Sequence, residues 1–355
     1  MYQLAEVRRV HLELTTRCNA ACPMCARNER GGFKMQGLPI EELSLSDVER
    51  IFVPDFLAQL EQIWLCGNYG DPIVARDTLK IIRYFQSQNP SLRVGMNTNG
   101  SARTEDWWSE LGSVLEYCHF GIDGLKDTNH LYRRRTDFAK IIRNACAYIA
   151  SGGKATWEFI AFEHNEHQIE EARAMASELG FRRFRVRRTG RFYYDGAIQS
   201  ELSVLNKSGA VEYIIRPPSN TSLQNESSRK IQDLIMTGGT ISSYLNTTEI
   251  SCKALLNKEI YVSADGYVFP CCYMGGLYSR QNSSGKTQFR KLLDEHGGPA
   301  AFDGKNVTLE TIIQSSLFQH TIPDSWSKNS VSEGRLSVCS SNCGVHCAFA
   351  GQYSK

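Results

Sequence analysis

Between residue 9 and about residue 190 the chain alternates short apolar runs with longer stretches whose apolar residues recur every three to four positions. That is the pattern of strands separated by amphipathic helices. It predicts six strands, at Arg9–Leu14, Gln62–Cys66, Arg93–Asn97, Tyr117–Ile122, Thr156–Phe162 and Phe184–Arg187. Helices are predicted at Ser44–Gln59, Asp77–Gln88, Thr104–Leu115, Asp137–Ala150 and Glu166–Leu179. Asn165, with Gln168 three residues on, reads as a capping box opening the last of these. Phe138, Ile141, Ile142, Ala145 and Ile149 form an apolar stripe to which Cys146 is assigned as packing. Successive parallel strands need such crossovers. The class is therefore α/β, either a partial barrel or a doubly wound sheet, with the site at the C-terminal ends of the strands in both cases.

Beyond Gly196 the periodicity weakens into a Ser-, Asn- and Thr-rich stretch with one helical segment near Ser228–Met236. A hairpin is then expected from Glu259–Ser263 and Tyr267–Pro270, turning at Ala264-Asp265-Gly266. This divides the chain into 1–195, a bridge at 196–250 and a third unit at 251–355. In all, 40 Lys and Arg against 38 Asp and Glu give a net charge of +2, which argues against a nonspecific polyanion binder and makes nucleic acid an unexpected partner. No apolar run is long enough to span a membrane, and the start lacks a basic segment followed by an apolar one. A cytoplasmic protein is expected, with no membrane partner.

The twelve cysteines change this picture most. Cys18, Cys22 and Cys25 crowd one loop directly after the first strand; Cys252, Cys271, Cys272, Cys339, Cys343 and Cys347 gather in the last third. Two thiol groups without a secretory signal point to metal ligation in a reducing compartment. Cys118 reads as strand packing, whereas Cys66, before a glycine loop, can approach a site. Three thiolates at Cys-x3-Cys-x2-Cys suit a 4Fe-4S cluster with one iron left open, while a zinc staple would need a fourth ligand such as His11.

On this triplet the sequence resembles the radical S-adenosylmethionine superfamily. Further stretches match in order: Gly67-Asn68-Tyr69-Gly70-Asp71-Pro72 is similar to the family's Gly-Gly-Glu-Pro loop, with Asp71 for the usual Glu. Asn97-Thr98-Asn99-Gly100 is similar to its Thr-Asn-Gly motif, and Gly121-Ile122-Asp123-Gly124 resembles Ser-x-Asp-Gly without the hydroxyl. Tyr132-Arg133-Arg134-Arg135 sits where members present an Arg to the cofactor carboxylate. The resemblance implies a partial (β/α)6, TIM-like barrel, a cluster on Cys18, Cys22 and Cys25, and S-adenosylmethionine held by Gly67, Asn68, Tyr69, Gly70, Asp71, Asn97, Thr98, Asn99 and Asp123. Arg133 or Arg134 would join them. Its activity is reductive cleavage of S-adenosylmethionine to a 5′-deoxyadenosyl radical that takes a substrate hydrogen, the electron coming from flavodoxin or ferredoxin.

Cys252-x13-Gly266-x4-Cys271 is similar to the opening of the SPASM and twitch extensions, in which a hairpin supports an auxiliary 4Fe-4S cluster. The resemblance implies ligation by Cys252 and Cys271 with two of Cys339, Cys343 and Cys347, leaving Cys272 a bystander. Such a cluster can accept the electron a substrate radical must lose, so an oxidoreductase is expected. Arg187, Arg188 and Arg191, at the end of the sixth strand, are candidates to hold a substrate carboxylate or phosphate. Tyr193, Tyr194 and Asp195 are placed at the mouth, and His164 and His167 read as surface capping residues. Peptide maturases of the superfamily often carry a leader-recognition domain, for which the space before residue 9 is too short. That tilts the expectation toward a polar small molecule. The alternatives are a RiPP maturase performing cross-linking or epimerisation, and a noncatalytic zinc-stapled binding module.

Overall fold

The structure is a computed structural model that describes residues 1–194, 197–279, 284–345 and 353–354. Six strands follow one another as β1 (Arg9–Leu12), β2 (Gln62–Leu65), β3 (Arg93–Thr98), β4 (Tyr117–Gly121), β5 (Ala155–Ile160) and β6 (Arg183–Thr189). Each pairs in parallel with the next. The spatial order equals the chain order, with no reversal of the kind that divides a doubly wound sheet. This is the strand sequence of a partial (β/α)6 barrel, and it resolves the choice that periodicity left open.

Alternation along the strands sorts side chains to two faces. Val10, Leu12, Ile63, Leu65, Val94, Met96, Phe120, Trp157 and Phe159 belong to one buried core with the helical residues Ile81, Phe85, Trp108, Leu111, Ile141 and Ala145. Burying a side chain of this size contributes about 1.5–3 kcal/mol, so the outer face of the sheet is where the fold gains its stability. The helix Phe138–Ala150 begins at Asp137, whose carboxylate accepts from the Lys140 N–H, and Thr104 caps Glu105–Val114 in the same way.

Two local expectations are corrected. The stretch Ser44–Gln59 is two helices, Leu45–Ile51 and Pro54–Gln59, because Pro54 has no N–H to continue the first and holds Val53 extended. Asn165 and Gln168 form no capping box. Asn165 is fully buried, donates from Nδ2 to the carbonyls of Asp123 and Ile160, and accepts from the Phe162 N–H. Gln168 accepts from Leu125 N–H and Thr128. Both amides brace the loop after β4 instead of the helix.

An antiparallel hairpin that the pattern left unread, β7 (Leu202–Leu205) with β8 (Val211–Ile215), follows. The predicted later hairpin forms as β9 (Glu259–Val262) and β10 (Val268–Phe269), with Gly266 at φ +92° in its turn. β9 pairs in parallel with β1, so the segment before Cys271 extends the main sheet. No helix among the described residues is long and apolar enough to cross a membrane.

Candidate active site

The first cysteine loop leaves β1 and is covered by the other motif loops. Cys18 Sγ accepts from the Ala20 N–H at 3.4 Å and from Asn99 Nδ2 at 3.7 Å. Cys22 is buried, with Arg133 Nη1 at 3.9 Å from its sulfur. Burial pushes the Cys22 thiol up to about 11, against the pull of the Arg133 charge. Burial likewise raises Cys18, with Asp71 and the other two thiols adding to it. Ala20 and Cys22 pack with Tyr132, Phe162, Phe192 and, from the β7–β8 hairpin, Leu202, Val204 and Ile215. That hairpin therefore roofs the cysteine loop.

Asp71 ties the glycine loop to the Asn97–Gly100 loop. Its carboxylate accepts from Asn99 N–H and Nδ2, both at 2.7 Å, from Thr98 Oγ1 at 3.2 Å and from Ile73 N–H at 3.2 Å. Burial pushes its carboxyl up, and these donors oppose the shift. Gly67 and Gly70 have no room for a side chain, since a Cβ on Gly70 would overlap the Thr15 carbonyl and one on Gly67 the Gly70 carbonyl. Asn68 N–H donates to Glu13 Oε1 at 2.8 Å, and Arg27 donates to the Tyr69 carbonyl at 3.4 Å. Asn97 instead accepts from Trp64 Nε1 at 3.2 Å.

Asp123 is completely buried. Its carboxylate accepts from Arg133 Nε at 2.5 Å and from the Ile160 N–H at 2.6 Å. Of the three consecutive arginines, Arg133 faces the cysteine loop, Arg134 pairs with Glu212 of β8 at 2.6 Å, and Arg135 donates to the Gly32 carbonyl. A Cβ on Gly121 would overlap Arg133 Nη2. The hydroxyl missing from this position is thus replaced by space for a guanidinium. Gly121→Ser is expected to cost about 1–3 kcal/mol by overpacking, read as a lower urea midpoint; an unchanged midpoint would mean the guanidinium has somewhere else to go.

The other face of the sheet is polar. His11, Trp64 and Tyr261 lie in register across β1, β2 and β9, with ring centroids 5.0 and 5.1 Å from His11. Above this row, Glu158 of β5 pairs with Arg187, His119 (3.4 Å) and Arg185 (3.9 Å). Burial lowers His11 to about 4, keeping it neutral, and lifts Glu13 to about 7. Arg191 donates to the Met24 carbonyl inside the cysteine loop at 3.3 Å, while the Arg188 carbonyl accepts from Asn225. Arg187 and Arg191 thus lie at the site, the former already paired. Tyr193 is half-buried, Asp195 lies outside the described residues, and of Tyr194 only the backbone is described. His164 is corrected from a surface cap: its ring stacks on Phe162 at 5.2 Å. Glu13, His119 and Glu158 go unread in the sequence, where His11 figures only as a fourth zinc ligand; their alternation with Val10, Leu12, Cys118 and Trp157 is the available signal.

Cys252, Cys271, Cys272, Cys339 and Cys343 line one cavity of about 220 Å³, whose wall includes His11 and Trp64. Burial pushes Cys271 up to about 12, with Cys343 and Cys252 adding to it. The backbone carbonyl of Cys272 accepts from Asn68 Nδ2 at 3.2 Å. Cys347 lies outside the described residues. Among the described residues, no three His, Cys, Asp or Glu side chains converge closely enough to hold a single metal ion.

Three comparisons bear on this geometry. Over 95 residues the chain is 33% identical to GTP 3′,8-cyclase of Staphylococcus carnosus (strain TM300), covering 26% of this chain and 27% of that one; the match spans about a quarter of that relative's length. SuiB of Streptococcus suis shares the fold with a TM-score of 0.51 at 14% identity, covering 94% of this chain and 72% of that one. Native anSMEcpe with bound AdoMet does so with a TM-score of 0.54 at 12% identity, covering 97% and 95%. Residues 12–176 match the Radical SAM superfamily. That matched span carries the cysteine triplet and the loops that close on it.

Proposed function

We propose that this chain oxidises a polar substrate by radical chemistry, with Cys18, Cys22 and Cys25 holding a 4Fe-4S cluster and Cys252, Cys271, Cys339 and Cys343 an auxiliary one. The observation that carries the reading is the meeting of three motif loops at the strand ends, where the Asn99 amide reaches both Cys18 and Asp71. The donor sets fit: thiols on different irons of a cluster need not converge as the ligands of one tetrahedral zinc must. When bound, the first cluster supplies the electron that cleaves S-adenosylmethionine to the 5′-deoxyadenosyl radical, and the second takes the electron an oxidised substrate gives up.

The chain's own residues do the rest. Gly67–Asp71 presents backbone to the cofactor, Asp71 and Asp123 hold the loops in place, and Arg133 offers a guanidinium to the cofactor carboxylate. The roof of Phe162, Phe192 and the β7–β8 hairpin excludes water. Glu158, His119, Arg187 and Arg191 supply polar contacts for the substrate. His11 and Trp64 form both the floor of this face and the wall of the second cysteine cavity, which favours electron transfer between them. Flavodoxin or ferredoxin is the proposed reductant.

A second reading, peptide maturation, is favoured by neighbours of the same fold, since SuiB was solved bound to precursor peptide SuiA and anSMEcpe with the Cp18Cys peptide. Substrate trials with a polar alcohol and with a peptide decide between the two. The test of the common core is anaerobic iron, sulfide and zinc content, then reduction with S-adenosylmethionine and detection of 5′-deoxyadenosine. About eight iron per chain is expected. Cys252→Ala with Cys271→Ala should lower this to about four and stop turnover while cofactor cleavage persists. Unchanged iron content would remove the auxiliary site, and zinc without cleavage would recast both thiol groups as staples.

A further inference from the structure

The glycine loop is held from the C-terminal segment as well as from its own barrel. Glu13, 1% exposed, accepts on one oxygen from the Asn68 N–H at 2.8 Å and from the Tyr261 hydroxyl at 2.6 Å. Tyr261 lies on β9, equally buried, with Gly275 so close that a Cβ there would overlap its ring. A second tether runs from Asn68 Nδ2 to the carbonyl of Cys272, the neighbour of Cys271. The two contacts cross 248 and 204 residues of sequence and converge on Asn68, the first through Glu13 and the second directly. Because Gly67 and Gly70 leave that loop no slack, a shift of Tyr261 or of the Cys271–Cys272 backbone must move it.

We propose that Tyr261 is a positioning residue for the Gly67–Asp71 loop, through which the C-terminal cysteine segment sets the affinity for S-adenosylmethionine. This rests on the reading of that loop as the cofactor site. Coupling between sites is reciprocal in binding free energy, so occupancy of the C-terminal cysteines tightens cofactor binding and the cofactor tightens the C-terminal site.

The test is Tyr261→Phe, which removes one hydroxyl and keeps the ring, in the reconstituted holoenzyme with its iron content checked. Loss of a hydrogen bond to a carboxylate is expected to weaken S-adenosylmethionine binding by about tenfold, with 5′-deoxyadenosine formation at saturating cofactor little changed. Hydrogen exchange of the cofactor-free protein should show faster amides at 67–71 and unaltered ones in β3 and β4. The variant Cys271→Ser should weaken the cofactor in the same direction. Equal affinity together with equal exchange at 67–71 overturns the proposal. If the wild type does not bind S-adenosylmethionine, the cofactor reading of the loop fails, and with it the affinity claim, while the exchange experiment still decides whether Tyr261 positions the loop.

Discussion

Replacing Cys18, Cys22 and Cys25 together by Ala is expected to abolish 5′-deoxyadenosine formation while leaving about four iron per chain on the C-terminal cysteines. The three thiols share one loop, and two of them are held by side chains of the other motif loops, Cys18 by Asn99 and Cys22 by Arg133. The fold should survive, because none of the three thiols belongs to the sheet's main apolar core, where most burial energy resides; they pack in a separate cluster. Iron analysis and product detection on the triple variant are the checks. Continued formation of 5′-deoxyadenosine would sink the assignment of the triplet.

Asp123→Ala carries the largest expected stability effect. The carboxylate is completely buried and serves two donors, the Arg133 guanidinium at 2.5 Å and the Ile160 N–H at 2.6 Å. Removing it leaves a largely buried charge without its partner and an orphaned backbone N–H. Breaking such a pair from one side costs about 3–5 kcal/mol. The double variant Asp123→Ala with Arg133→Met should recover part of that loss, because the uncompensated charge goes with the arginine. Urea denaturation of the two variants measures the difference. A single-variant loss below about 1 kcal/mol, the range of exposed pairs, would show the pair to be solvated and Asp123 replaceable.

The same pair shows how much could be read beforehand. Gly121-Ile122-Asp123-Gly124 was legible as a motif with a missing hydroxyl, but the reason for the glycine was not. Arg133 is twelve residues away, and only the packed loop brings its guanidinium over the Gly121 Cα. Likewise, the choice among Arg133, Arg134 and Arg135 needed coordinates, because consecutive residues at the end of a short helix point in different directions and only Arg133 points at Cys22. The capping box at Asn165 failed for a related reason. Tertiary demand from the buried Asp123 loop outweighed a local cap of about 1 kcal/mol.

By itself the sequence determined the strand and helix alternation, the thiol spacing of both cysteine groups and the glycine loop. These are local properties: a period, a spacing or a missing side chain acts within a few residues of its own position. The tertiary structure alone decided the parallel order that makes a partial barrel, the roof that the β7–β8 hairpin lays over Cys22, the shared wall of His11 and Trp64, and the reach of Tyr261 and Cys272 to the Asn68 loop. Those depend on contacts between residues tens to hundreds of positions apart, set by which faces of the sheet bury apolar area, and no local pattern encodes them.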